Sequence, residues 1–441
     1  MPTKRTKEKS AIKSRRTDRA RSPKRRASVD SITLESPPIF QSRRIVKIKW
    51  KGKDVKAVEG LFAYQSRAQE RVERNAVERA LGIAVAESTR ADRLGIGIFS
   101  AEEGEGVSVV RASSAAPRIG SDVRWVEPVL LDHISLTPND TYFSDQWGLK
   151  SLNAERAWDL WTGSPERVVI AVLDSGIPLE NGRLSHLDLN DPNRFVLGPD
   201  VVNHDEDPAD DNGHGTHVIG IAAATSNNNR GVAGLWPGTA LAIKIFDSNG
   251  NGSSLSFKDG VFSAVDFARE HDARLVINYS GGGPDTATKK SAVEYAHSEG
   301  ALLVAAAGND GADSIDYPAA YSADFPSVIA VGAIGSDRKR AHFSNRGDEL
   351  TVVAPGVDIL STTPNYHVTV NTEGLPTKYA GMRGTSMAAP FVSALAALVW
   401  SQWPSLTAEE VRDKITTSAD AAPGPRREYG HGIINAERAL I

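Results

Sequence analysis

From residue 138 to its end the chain alternates short, almost wholly apolar runs with segments of helical spacing, and this limits the possible folds more than any other feature. The runs include "ERVVIAVLDSG", "TALAIKIFD", "ARLVINYSG", "GALLVAAAGN" and "SVIAVGAI". A strand that is apolar at nearly every position has no face for water. It must be covered on both sides, as in a parallel sheet between layers of helices. "FKDGVFSAVDFAREH" and "TKKSAVEYAHSEG" supply such helices, and in "SLTAEEVRDKITTSA" Thr407 and Glu410 have the spacing of a capping box. The predicted class is α/β, with a mostly parallel sheet flanked by helices. Asp174, Ser280 and Asn309 come just after three of the predicted strands. The carboxyl ends of strands in open α/β sheets face the ligand crevice, so the fold alone draws these polar residues together.

The residues before this region differ. Residues 43–134 read as a small α+β domain. "RRIVKIKW", "GVSVVRA" and "VRWVEPVLL" are predicted strands, and "SRAQERVERNAVERALG" is a predicted helix with Gly82 as its stop. Residues 1–42 lack periodicity and read as a disordered basic tail. Residues 1–28 hold twelve Lys or Arg against Glu8 and Asp18, a net +10, whereas the whole chain is at -4. Such a tail can bind an acidic partner through charge alone. No aromatic residue interleaves with its first 28 residues, which argues against stacking on single-stranded nucleic acid. The tail has no apolar core of a Sec-type signal peptide, and no run of 18 apolar residues predicts a membrane span. The expected location is cytoplasmic by default, or outside the cell by another export route. With no cysteine, disulfides, thiolate metal sites and cysteine nucleophiles are excluded.

"GMRGTSMAAPFVSALAALVW" places Ser386 at the start of a long apolar helix. A hydroxyl there can cap the helix or act as a nucleophile, and locally both readings stand. A nucleophile needs a base, an orienter and oxyanion donors. "DNGHGTHVIGIAAA" offers His214 and His217 as bases, and Asp174, at the end of a buried strand, offers a carboxylate that needs a partner. A zinc pair at the two histidines has no evident third ligand. The absence of HExxH and of GxSxG around Ser386 weakens metalloprotease and lipase readings.

"AVLDSGI", "NGHGTHVIG", "AAAGNDG" and "GTSMAAP", in that order, resemble the motifs of the subtilisin-like serine proteases (subtilases), over residues 138–441. The resemblance implies a serine endopeptidase that hydrolyses peptide bonds through an acyl-enzyme. It assigns Asp174, His214 and Ser386 as the triad and makes His217 structural. Asn309 and the Ser386 backbone N–H become the oxyanion hole. It implies that protein or peptide substrates pair as a strand with Ser280, Gly281 and Gly282. Gly281 stands where the family pattern has leucine, which predicts wider or looser subsites. Asp316, just before Tyr317-Pro318, would line the primary specificity pocket, with Asp310 following Asn309. Carboxylates facing that pocket would select Lys or Arg; carboxylates turned to solvent would leave an apolar or broad preference. "TSNNNRGVAG" resembles the family's calcium loop. Its implied Ca2+ ligands are the side chains of Gln146, Asp188 and Asn228 and the carbonyls of Ser226, Arg230 and Val232; the alternative is a polar surface turn. The junction "VRWVEPVLLDHISLTPNDTYFSDQWGL" resembles that between propeptide and mature enzyme. Residues 43–134 would then be an inhibitory propeptide of a self-processed zymogen, cut between Pro128 and Pro138. A catalytically silent regulatory domain is the competing class, and the complete set of catalytic residues argues against it.

Overall fold

The computed structural model describes residues 137–441 throughout and, upstream, the backbone of five strands. The chain divides into two compact units, residues 1–132 and 133–441. The first contains β1 (Ile45–Trp50), β2 (Lys53–Ser66), β3 (Val85–Ser88), β4 (Ile96–Ala101) and β5 (Val123–Leu130). They form an antiparallel sheet of order β1-β2-β4-β3, with β5 also paired to β2. β1 and β5 fall on "RRIVKIKW" and "VRWVEPVLL". The basic tail, the predicted helix beyond Ser66 and the predicted strand "GVSVVRA" lie outside the described residues.

The second unit is built on a seven-stranded sheet. Its strands are β6 (Val168–Asp174), β9 (Phe195–Asp200), β10 (Thr239–Lys244), β11 (Arg274–Tyr279), β12 (Leu302–Ala306), β13 (Val328–Ile334) and β14 (Val352–Pro355). The short pairs β7 (Leu179–Glu180) with β8 (Arg183–Leu184) and β15 (Ile359–Thr362) with β16 (Tyr379–Met382) stand apart from it. The order is β14-β13-β12-β11-β6-β10-β9, and every pairing is parallel. β6 shows why the runs are apolar throughout. Val168, Ile170 and Val172 join one core, while Val169, Ala171 and Leu173 join the other. Helices α1 (His214–Ala223) and α4 (Thr385–Gln402) pack on the first face; α2 (Ser254–Glu270) and α3 (Ala287–Ser298) pack on the second. A further helix, α5 (Ala408–Ser418), packs beside α4.

The helix starts follow local chemistry. Ser253 and Ser256 make a capping box at α2, Thr286 caps α3, and Thr407 with Glu410 makes the predicted box at α5. The chain leaves β6 for the edge strand β9, returns through β10 and then crosses to β11 on the other side of β6. This reversal opens a crevice at the carboxyl ends of β6 and β11. No helix among the described residues is long and apolar enough to cross a membrane.

Candidate active site

Asp174 ends β6, and His214 opens α1 across the crevice. His214 Nδ1 lies 2.7 Å from Asp174 Oδ1, and the same oxygen accepts the Ser175 N–H at 2.8 Å. That bond makes Nδ1 the protonated nitrogen and leaves Nε2 as the base. Burial disfavours the charged imidazolium, but the Asp174 and Asp210 carboxylates outweigh it and raise the His214 pKa above its ordinary 6.5.

Asp210 was not singled out from the sequence, yet it shapes this corner. Its buried carboxylate accepts the N–H groups of Asn212 (3.1 Å), Gly213 (2.7 Å) and Thr216 (2.8 Å) and the Ser175 hydroxyl (2.8 Å). Ser175 Oγ in turn accepts the Gly215 N–H at 2.8 Å. One carboxylate thus satisfies the start of α1 and ties it to the end of β6. Gly213 turns the chain into the helix at φ 103°, a conformation that favours glycine.

His217, one turn further along α1, has the opposite character. It is fully buried, its Nε2 donates to the Ala380 carbonyl at 3.0 Å, and burial pushes its pKa down to about 3. It stays neutral and structural. The two rings are committed to separate partners, His217 Nε2 to the Ala380 carbonyl and His214 Nδ1 to Asp174.

The question of Ser386 as a cap is settled by position. Gly384 is the N-cap of α4, so Ser386 is the second helical residue, and it does not cap. Pro390 lies four residues further on and has no N–H to give back to the Ser386 carbonyl. Ser280 Oγ takes that place, donating to Ser386 O at 2.8 Å, and Ser386 Oγ donates to Ser280 O at 3.1 Å. The nucleophile candidate is thereby pinned to the end of β11.

Asn309 follows β12. Its Oδ1 accepts the Thr385 N–H at 2.8 Å and the Thr385 hydroxyl at 3.0 Å, which leaves its Nδ2 as the outward donor. A Cβ on Gly384 would stand 3.6 Å from both Asn309 Nδ2 and the Ser386 nitrogen. Two donors therefore converge beside a glycine, and Ser386 N is a helix-start N–H with no helical partner. Such an arrangement can stabilise a developing oxyanion.

The structure places Ser280, Gly281 and Gly282 along one wall of the crevice. The backbone N–H and C=O groups of Gly281 and Gly282 bond to no described residue. Gly281, expected to make the subsites wider or looser, has its side-chain space occupied. A Cβ there would meet Phe246 at 2.6 Å, so an aromatic ring from the loop after β10 fills the room a leucine would need. Asp310 is exposed, whereas Asp316 is half-buried between Gly282 and Gly308.

The loop after α1 lies elsewhere. Asn227, Asn229 and Gly231 adopt positive φ, and the loop wraps the buried Asp188. Asp188 Oδ1 accepts from Asn228 Nδ2 at 2.8 Å, and Oδ2 accepts the Val232 N–H at 3.0 Å. Gln146 uses its whole amide on Ala233, donating to the carbonyl and accepting the N–H, both at 2.8 Å. It braces the loop. Asp140, which the sequence reading passed over, is buried there and accepts the Asn227 N–H at 2.8 Å. Its pKa is raised, first by burial and further by the Asp188 charge. The carbonyls of Ser226, Arg230 and Val232 receive no hydrogen bond from any described residue.

A carboxylate-held histidine, a serine at a helix start and two convergent N–H donors together define a site suited to acyl transfer by a serine. The comparisons name the family. The model described as "Subtilase family" (Peptidase_S8) matches residues 166–432, and the chain belongs to that family of serine proteases. It is 41% identical over 321 residues to the thermophilic serine proteinase of Bacillus sp. (strain AK1), covering 72% of this chain and 73% of that protein. It is 36% identical over 306 residues to thermitase of Thermoactinomyces vulgaris, covering 69% and 99%. A solved protease structure from Pseudoalteromonas arctica PAMC 21717 aligns with TM-score 0.59 at 31% identity, covering 69% of this chain and 99% of that one.

Proposed function

We propose that this chain is an endopeptidase that works through an Asp174–His214–Ser386 triad and is made as a self-processing zymogen. The observation that carries the reading is the 2.7 Å Asp174–His214 bond at the same crevice as Ser386 and Asn309. For attack, the Ser386 hydroxyl gives its proton to His214 Nε2 and its oxygen adds to the substrate carbonyl. Asp174 holds the imidazole tautomer and stabilises the imidazolium. Asn309 Nδ2 and Ser386 N receive the oxyanion. His214 then protonates the leaving amine, and water, deprotonated by His214, releases the acid. The unpaired backbone of Gly281 and Gly282 offers an edge for an extended substrate.

Residues 43–134 act as the inhibitory propeptide, removed by a cut between Pro128 and Pro138. The basic tail is an electrostatic handle for an acidic partner. Calcium fits the loop after α1. Two buried carboxylates of like charge, Asp140 and Asp188, adjoin three carbonyls that receive no hydrogen bond from any described residue, and all these groups offer hard oxygens. Asp140, Asp188 and the carbonyls of Ser226, Arg230 and Val232 would hold the ion; Asn228 would join only by releasing the Arg230 N–H, and Gln146 only by releasing Ala233. The ion would supply stability and take no part in the chemistry.

The test is labelling with a serine-directed fluorophosphonate, followed by intact mass over time. The processed chain labels at Ser386 and loses its N-terminal unit, and Ser386→Ala does neither. A Ser386→Ala chain that still processes itself, or a wild type that never labels, rejects the triad.

A further inference from the structure

We infer that the segment joining β15 to β16 is a strap that holds His214 in place, with Tyr366 and Thr369 as its positioning residues. The inference rests on the peptidase reading above and adds two residues that act through the turn before His214.

The pairing of β15 with β16 begins at Thr362 and Tyr379. A few residues would close such a hairpin, yet Thr363 to Lys378 lie between them, a length that in compact domains commonly carries function. The base of the segment is bolted down. Thr363 N–H donates to Lys378 O at 2.7 Å, Lys378 N–H to Pro364 O at 3.1 Å, and Asn365 Nδ2 to Ser185 O at 2.6 Å. Its far end is held by Asn371, whose Oδ1 accepts the Val368 N–H at 2.8 Å and whose Nδ2 donates to Leu375 O at 2.9 Å. Thr369–Thr372 form a single helical turn there.

This arm lies across the turn that leads into α1. Three consecutive carbonyls accept from it: Asp210 O from the Tyr366 hydroxyl at 3.0 Å, Asp211 O from the Thr369 N–H at 3.3 Å, and Asn212 O from the Val370 N–H at 3.0 Å. Gly213 comes next and lies under two buried valines. A Cβ on it would stand 2.6 Å from a Val370 methyl and 3.0 Å from a Val368 methyl. From the sheet side, the Asp210 carboxylate holds Ser175, and Asp211 pairs with the buried Lys244 ammonium, which also donates to Ser175 O at 3.0 Å. The turn is clamped between sheet and arm.

Asn212 passes the constraint on. Its Oδ1 accepts the His214 N–H at 3.1 Å, and its Nδ2 donates to Ser248 O at 2.9 Å. The Thr369 hydroxyl donates to that same carbonyl at 2.7 Å. Ser248 lies two residues beyond Phe246, the ring beside Gly281, so Thr369 joins the histidine turn to the loop that lines the crevice. The Tyr366 hydroxyl accepts the Leu179 N–H at 3.3 Å while it donates to Asp210, which fixes it from both sides. A glycine at φ 103° just before His214 would by itself leave the imidazole loosely placed. Proton transfer from Ser386 needs that ring in register, and a misplacement of about 1 Å can cost about 100-fold in rate. The arm removes this freedom before substrate arrives.

The experiment measures kcat and KM on one peptide cleaved by wild type, and the rate of fluorophosphonate labelling, on processed enzyme well below the melting temperature of each variant. Tyr366→Phe and Thr369→Val each delete one hydroxyl and keep the shape. Each should lower kcat and the labelling rate by about threefold to tenfold, and the pair by more, with KM within about twofold. Thr369→Ser keeps the hydroxyl and should retain wild-type kcat. Unchanged kcat in the double variant, a loss confined to KM, or an equal loss in Thr369→Ser overturns the assignment and leaves the peptidase reading intact. A wild type that neither labels nor cleaves rejects the peptidase reading itself.

Discussion

The crevice at the ends of β6 and β11 and the loop after α1 both gather polar groups into a mostly buried setting, but they balance their charges differently. In the crevice the protein supplies its own answers. Asp174 has His214, Asp210 has five N–H or hydroxyl donors from the α1 start and Ser175, and the Ser386 carbonyl has Ser280. In the loop two carboxylates lie close enough to feel each other, and three carbonyls have no donor among the described residues. The first region answers most of its charges internally and leaves its oxyanion donors and the backbone of Gly281 and Gly282 open. The second, on the calcium reading, would be completed by the ion and would contribute to stability. Changes in one should therefore show in rate, and changes in the other in melting temperature.

The largest effect should come from Asn309→Ala. Removing that donor should lower kcat by about 100- to 1000-fold, with the melting temperature nearly unchanged. A large loss of stability with intact kcat would erase the distinction between the regions. Chelation comes next. Calcium at a hundredfold excess over its dissociation constant stabilises by about 2.7 kcal/mol, which for a domain of this size is a rise of roughly 4 °C. Melting curves with excess calcium and after thorough chelation check this; coincident curves would reduce the loop to a polar turn. The smallest effect concerns pH. Attack needs a neutral His214, so kcat/KM should rise as pH climbs through the His214 pKa, which lies above 6.5. Asp210→Asn removes one of the charges that raise it, so the acid limb should move to lower pH. An unmoved limb would confine Asp210 to a purely structural part.

Much of this was legible in the sequence, for physical reasons that vary with position. The inner strands could be read because both their faces are buried. The edge strand β9, "FVLGPD", could not, since it is only partly buried and Gly198 and Pro199 interrupt it. Asp174, His214, Asn309 and Ser386 stood out through their motifs. Asp210 did not: in "ADDNGHG" nothing in the sequence says that Asp210 turns inward while Asp211 stays exposed. Asp140 and Gln146 lie about as far from the loop along the chain, so spacing could not tell which one braces it and which one faces its carboxylate. Phe246 beside Gly281 was not legible either, because it arrives from another part of the chain.

Pro390 has a consequence for motion. Because it withholds an N–H, the first turn of α4 is anchored partly to the sheet through Ser280, and the helix body beyond it carries the packing of α5. A helix that slides or tilts slightly under thermal load then transmits less of that movement to Ser386, whose backbone keeps register with β11. Pro390→Ala would return a competing donor to the same carbonyl, coupling the nucleophile to every fluctuation of the eighteen-residue helix behind it.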